Sequence, residues 1–177
     1  MLWIPDAGFG VSVLTNQESS GAFDSIVYRI ADHYLGAAPF DWAAGYKTVR
    51  DWQQAATAAQ EKKAVSARAA ASSPSLPLAS YAGTYSDAWY GEILIENTGG
   101  KLEMRFSKTP SLVGDLEHWQ HDTFIVRWRD RELRADAYVT FALNPDGTID
   151  QAKMRAVSAE TDFSFDFQDL LLKPSRR

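Results

Sequence analysis

Residues 91–107 read GEILIENTGGKLEMRFS, two short runs parted by Thr98-Gly99-Gly100. Leu102, Met104 and Phe106 alternate with polar neighbours, the period-2 signature of a half-buried strand. A Gly pair between two such runs is a compact hairpin signal, because both turn positions can take positive φ. The stretch therefore predicts antiparallel β-structure with one apolar face.

The same pattern repeats outward toward the C-terminus. LEHWQ (116–120) and TFIVRWR (123–129) flank His121-Asp122, and AYVTFAL (137–143) and TIDQAKMRAV (148–157) flank Asn144-Pro145-Asp146-Gly147. Pro and Gly at those places suit a tight turn. DFSFDFQ (162–168) and DLLLK (169–173) complete the set. Phe124, Val126 and Trp128 alternate strictly, as do Val139, Phe141 and Leu143, and Phe163, Phe165 and Phe167. The last triplet reads as core, with Asp162, Asp166 and Asp169 facing water. About eight short antiparallel strands, each with one apolar face, predict a small closed barrel, which also removes exposed edges.

Toward the N-terminus the character changes. SSPSLPL (72–78) carries two prolines that forbid helix continuation, so it marks a boundary. Before it, residues 41–71 are rich in Ala, Gln, Glu, Lys and Arg and predict one long helix. Trp42, Tyr46, Val49 and Trp52 lie near one face, while the later half carries little apolar mass and reads as a connector. Earlier still, Phe23, Ile26, Val27, Ile30, Ala31 and Tyr34 recur at helical spacing, with Ser19 or Ser20 as N-cap and Gly36 and Pro39 after the end. The opening MLWIPDAGFGVSVLTNQES places Leu2–Ile4 and Phe9–Thr15 as strands around Pro5-Asp6-Ala7-Gly8. The expected organisation is thus α+β: residues 1–40 as hairpin and helix, 41–75 as helical connector and linker, and 76–177 as a lipocalin-like antiparallel barrel.

Composition bounds the function classes. The 177 residues carry a net charge of -5 with acids and bases interspersed, so no basic stripe points to nucleic acid. No apolar run approaches a membrane span, and no secretory leader is read in these residues. The absence of cysteine excludes disulfides and thiolate chemistry.

WIPDAGFGVSVLTNQES (3–19) followed by a helix resembles the closing segment of the serine β-lactamase-like fold. That fold is shared by class C β-lactamases, penicillin-binding proteins and related esterases and peptidases. LVGDLEHWQHDTF (112–124) and DFSFDFQDLLL (162–172) resemble the domain of unknown function 3471, which follows the β-lactamase-like domain in many bacterial hydrolases. The resemblance implies the C-terminal part of a larger hydrolase, with the missing catalytic domain as partner and a periplasmic or secreted location. Apolar hairpin and helix faces left without sheet neighbours further predict a homodimer through residues 1–40 and the long helix.

Catalytic chemistry is not expected from the chain alone. A Ser-x-x-Lys nucleophile motif would need lysine one helical turn beyond serine. Ser12, Ser25, Ser66, Ser86 and Ser158 are followed at that distance by Thr15, Tyr28, Ala69, Trp89 and Thr161. Tyr-x-Asn, Lys-Thr-Gly and Gly-x-Ser-x-Gly are also missing; Lys47-Thr48-Val49 and Lys108-Thr109-Pro110 lack the glycine. No cofactor is expected. Glu117, His118, His121 and Asp122 cluster in sequence, yet on one strand residues three apart face opposite ways, so no metal site is assigned.

Candidate ligand-binding residues are Trp89, Tyr90, His118, Trp119 and Trp128, which together with Phe124 could line a barrel mouth. The alternative is that these rings fill the barrel interior, as in other eight-stranded barrels. The loop SKTPSLVG (107–114) is placed to reach over a neighbouring site. Two functions follow from these readings. One is a non-catalytic accessory module of a serine hydrolase; the other is an independent lipocalin-like barrel for a small apolar ligand.

Overall fold

The fold is given by a computed structural model that describes residues 1–16, 19–69 and 71–175. It is α+β, with a two-stranded N-terminal sheet, two helices and a closed eight-stranded antiparallel barrel. The chain divides into two units, Met1–Ala59 and Gln60–Arg177.

In the first unit, β1 (Leu2–Ile4) pairs antiparallel with β2 (Phe9–Val11). Pro5–Ala7 form a 3-10 turn between them, and Gly8 closes it at φ 61°, where a side chain would be strained. The second strand stops at Val11 rather than running on to Thr15, because β1 supplies only three partners and Leu2 opposite Val11 is the last. Helix α1 (Ser20–Leu35) starts behind Ser19 and ends at Gly36, whose left-handed φ of 64° lets its N–H turn back on Asp32 and His33. Gln17 and Glu18, in the polar break ahead of the helix, lie outside the described residues. Phe9 stacks on Tyr34 with centroids 4.6 Å apart, and Val27 and Ala31 are buried.

Helix α2 (Trp42–Ser66) begins at Asp41, whose carboxylate accepts from the Ala44 N–H at 2.9 Å. Trp42 anchors it on α1, stacking on Tyr28 and donating its indole N–H to Asp32 at 2.8 Å. The alanine-rich pattern had predicted helix to Ala71. The helix ends at Ser66 instead, because Arg68 and Ala69 are taken by hydrogen bonds to Trp119, His118 and Gln120. Local propensity amounts to a few tenths of a kcal/mol per residue, and those tertiary bonds outweigh it.

The barrel comprises β3 (Gly83–Asp87), β4 (Gly91–Thr98), β5 (Lys101–Phe106), β6 (Val113–Gln120), β7 (Thr123–Trp128), β8 (Ala137–Leu143), β9 (Ile149–Ala156) and β10 (Leu171–Pro174). Neighbours follow chain order, and β10 closes the circle between β9 and β3. Gly99 and Gly100 take φ of 61° and 81°, forming the two-residue turn that sets Thr98 opposite Lys101.

The interior is filled by side chains from every strand. Ile93, Ile95, Leu102, Met104, Phe106, Phe124, Val126, Trp128, Val139, Phe141, Met154 and Leu172 are all buried. Gly114 on β6 leaves no room for a side chain: a Cβ there would sit 2.4 Å from the Arg127 carbonyl oxygen on β7.

One expected strand is not a strand. DFSFDFQ folds as loop and 3-10 turn, and the eighth barrel strand is Gly83–Asp87. The cause lies in its aspartates. The Asp162 carboxylate accepts from the Ser164 N–H at 2.9 Å, and the Asp162 carbonyl accepts from Phe165 at 3.0 Å, so the backbone satisfies itself locally. The triplet is accordingly split. Phe167 is fully buried, Phe165 is half-buried, and Phe163 is exposed.

Candidate functional site

The five sequence candidates fall in three places. Trp128 is interior, 1% exposed, with its indole N–H donated to the Ala135 carbonyl at 2.7 Å. Its ring meets Phe106 edge-on and stacks on Phe167, so it fills the barrel together with Phe124. The structure does not gather it with the others.

His118 and Trp119 are on β6 at its hairpin with β7. His118 packs edge-on against Phe124, and its Nε2–H donates to the His121 carbonyl at 2.9 Å, which fixes the tautomer. His121 holds a left-handed φ of 47° in the turn. Trp119 lies on the opposite face of the strand, between the Arg68 guanidinium and Tyr138. Among the described residues no three His, Cys, Asp or Glu side chains come together as metal ligands.

Arg68, Ala69, Ser72 and Ser75 are strapped across this hairpin, a feature with no simple sequence signal. Arg68 Nε donates to the Trp119 carbonyl at 2.5 Å, and the Ala69 N–H to the Gln120 side chain at 2.8 Å. Ser72 Oγ accepts from the His121 N–H at 2.9 Å. Asp122 accepts from the Ser75 N–H at 2.8 Å, the Ser75 hydroxyl at 2.7 Å and the Tyr81 hydroxyl. Burial alone would raise the Asp122 carboxyl, but the bonds from Tyr81 and Ser75 outweigh it and hold it below the usual range. Burial first, and then the bond to Asp122, push the Tyr81 phenol up to about 12.

Trp89 and Tyr90 are in the β3–β4 turn, beside a depression of about 370 Å³. Its other walls are Lys108, Thr109 and Leu112 from the β5–β6 loop and Ser164 and Phe165 from the loop before β10. The turn is rigid by construction. Asp87 accepts from the N–H groups of Trp89 at 2.8 Å and Tyr90 at 2.9 Å with one oxygen, and from the Leu171 N–H at 2.9 Å with the other. Burial opposes ionisation of Asp87, yet these three N–H groups hold its carboxyl below the ordinary value. Gly91 follows at φ 74°, with the Lys108 stem against it. Tyr90 rests edge-on against Phe106, and Phe165 stacks on Phe167, so the floor of the depression is continuous with the core. Burial and then the Asp166 carboxylate raise the Tyr90 phenol above its usual value.

A second, larger groove of about 820 Å³ lies where β10 runs out beside β3 and β4, among Leu76, Gly83, Thr84, Ile95, Ile149 and Pro174. It carries none of the five sequence candidates.

A closed antiparallel barrel with a buried apolar cluster, preceded in the chain by helices and a small sheet, defines the class: an α+β chain. Residues 67–174 match the model of a domain of unknown function (DUF3471), and the chain belongs to that family. Among solved structures, the crystal structure of the C-terminal domain of a penicillin-binding protein is similar at 23% identity, with a TM-score of 0.44. That likeness covers 60% of this chain and 94% of the other. Comparison with curated proteins gives no match.

Proposed function

We propose that the chain is a non-catalytic C-terminal accessory part of a serine β-lactamase-like hydrolase. Its barrel shapes substrate access or assembly, and its N-terminal unit completes a larger catalytic sheet. The observation that carries this reading is the β1–β2 sheet. Phe9 packs on Tyr34 of α1 on one face, while on the other Trp3 lies across Gly10 and is 66% exposed. A two-stranded sheet of three-residue strands is marginal in water and gains from further strands and a second covering layer. Membership of the DUF3471 family and the likeness of WIPDAGFGVSVLTNQES to the closing strand pair of that fold support the same reading. The filled interior weighs against the alternative of an internal lipocalin-like site, which needs a cavity of several hundred Å³.

Two measurements test the proposal. The purified chain should give no turnover of a chromogenic cephalosporin or a p-nitrophenyl ester above buffer. Turnover that persists through repurification would overturn it. An antibody against the barrel should detect, in source cells, a polypeptide much longer than 177 residues that carries Ser-x-x-Lys ahead of these strands. Detection of the 177-residue species alone would overturn the proposal equally.

A further inference from the structure

We propose that the depression beside Trp89 is a binding site for a neutral saccharide, with the Trp89 indole as its stacking platform. The inference is independent of the accessory role and stands on four features of the barrel.

The first is exposure on a pinned turn. Trp89 is 89% exposed, as is Phe163, and the two rings belong to the two loops that wall the same depression. A large aromatic ring held open to water forgoes about 25 cal/mol per Å² of apolar burial. The Trp89 backbone is nevertheless fixed, because Asp87 accepts from its main-chain N–H and ties the turn to Leu171 on β10. An open ring carried on a pinned turn is a platform rather than part of a frayed end.

The second is the mix of groups around it. Tyr90, Leu112 and Phe165 give an apolar floor, and Thr109, Ser164, Lys108 and the Tyr90 hydroxyl give donors and acceptors. A pyranose has one apolar C–H face and a rim of hydroxyls, and this arrangement presents the complement of both.

The third is charge. Glu160, Asp162, Asp166 and Asp169 lie in or next to the loop that carries Ser164 and Phe165, and Lys108 is the one basic side chain among the described residues that line the depression. That balance repels anionic polymers and anionic lipid surfaces. Lys108 on the rim in turn disfavours a cationic guest held by the rings.

The fourth is shape. About 370 Å³ is near the lower end of the roughly 300–1,000 Å³ of small-ligand sites, and the depression is open on one side. It cannot enclose a wholly apolar ligand. An extended peptide would need free backbone groups, but at this side of the barrel β3–β4 is paired to Asp87 and Gly91, and the Glu92 carbonyl already accepts from the Ser107 N–H.

The experiment titrates the full chain with cellobiose, maltose and N,N′-diacetylchitobiose, following the indole N–H resonances of its six tryptophans by NMR. Trp89→Phe assigns the Trp89 signal. At least one of the sugars should shift that signal and leave Trp128 unmoved, with a Kd of about 1 mM, typical of weak binding near −4 kcal/mol. Trp89→Ala should weaken binding at least about tenfold, whereas Trp89→Tyr keeps a ring and should stay within about threefold. Because Trp89 is exposed, each variant should keep the remaining spectrum, which shows that the barrel is folded. If no sugar moves the Trp89 signal, or if Trp89→Ala binds like the parent chain, the proposal is overturned. Trp89-dependent sedimentation with phosphatidylglycerol vesicles would also overturn it, by assigning the ring to a membrane surface.

Discussion

Arg68 holds Trp119 twice: its guanidinium carbon lies 4.8 Å over the indole ring, and its Nε donates to the Trp119 carbonyl at 2.5 Å. The pair sits at the first point where the chain leaving α2 meets the β6–β7 hairpin. Arg68→Ala removes both contacts and should lower barrel stability by about 1–2 kcal/mol, the range of a partly exposed charged hydrogen bond with a cation–π component. Arg68→Lys should restore little of it, because a lysine lacks the planar fork that donates and stacks together. Urea denaturation followed by tryptophan fluorescence measures both.

The strap also redirects proteolysis. The composition of residues 64–74 predicts early cutting throughout, yet Arg68, Ala69, Ser72 and Ser75 are tied to the hairpin by hydrogen bonds. Trypsin should therefore cut first after Lys62 or Lys63, both exposed on the last turns of α2, and spare Arg68. Mass spectrometry of the first fragments decides it, and early cutting after Arg68 would show that the strap is loose in solution.

Asp122 makes the same region sensitive to acid. Its folded-state carboxyl is held below the ordinary value of 3.8, so its contribution is fully present above that value. It is lost as pH falls through the lower, folded value, where protonation removes the acceptor for Ser75 and Tyr81. Thermal melts between pH 7 and pH 2 should show Asp122→Asn already destabilised at pH 7, with the gap to the parent chain narrowing in acid. A gap that does not change with pH would mean that the carboxylate charge is not what holds the strap.

Gly114 is required by space rather than by its backbone angle. A methyl group there would lie 2.4 Å from the Arg127 carbonyl oxygen, a contact that only movement of β6 or β7 relieves. Gly114→Ala should cost about 1–3 kcal/mol, the usual range for overpacking in a closed structure. Chemical denaturation checks this, with Gly99→Ala as a comparison, where strain from φ 61° but no clash is present.

The N-terminal unit leaves Trp3, Ile26, Leu35, Phe40, Val49 and Trp52 substantially exposed. In the accessory reading these faces belong against the rest of a catalytic domain, so the isolated chain should pair through them with a second copy. Light scattering after size exclusion should give a dimer at micromolar concentration, and removal of residues 1–40 should give a folded monomeric barrel. A monomeric full chain, or a truncated chain that stays dimeric, would place the interface elsewhere or remove it.

Much of the barrel could be read directly. Alternation in Leu102, Met104 and Phe106, or in Phe124, Val126 and Trp128, has only one solution when one face must be dry, and each of these side chains is buried. Gly99-Gly100 and Asn144-Pro145-Asp146-Gly147 carry their turns in their own φ preferences. The same logic misplaced one strand. Phe163, Phe165 and Phe167 alternate as well as any strand, while Gly83–Asp87, GTYSD, hardly looks like one. Period alone cannot weigh the local bonds that Asp162 makes to its own loop against a ladder with distant partners.

The candidate site was legible only in its parts. Trp89, Tyr90 and Lys108 stand out by type, but their meeting depends on Asp87 reaching both its own turn and Leu171, 84 residues later. His118 and Trp119 were grouped by adjacency, and the pleat sends them to opposite faces, one toward Phe124 and one under Arg68. The sequence by itself determined the fold class, the barrel face of most strands and the absence of a nucleophile–lysine pair. These depend on residue type and short periods, which survive without knowledge of partners. Tertiary structure alone decided which segment closes the barrel, where α2 ends, and which aromatic rings are core and which are open to water. Each of those is a competition between local and long-range bonds, and its outcome exists only once the distant partner has a position.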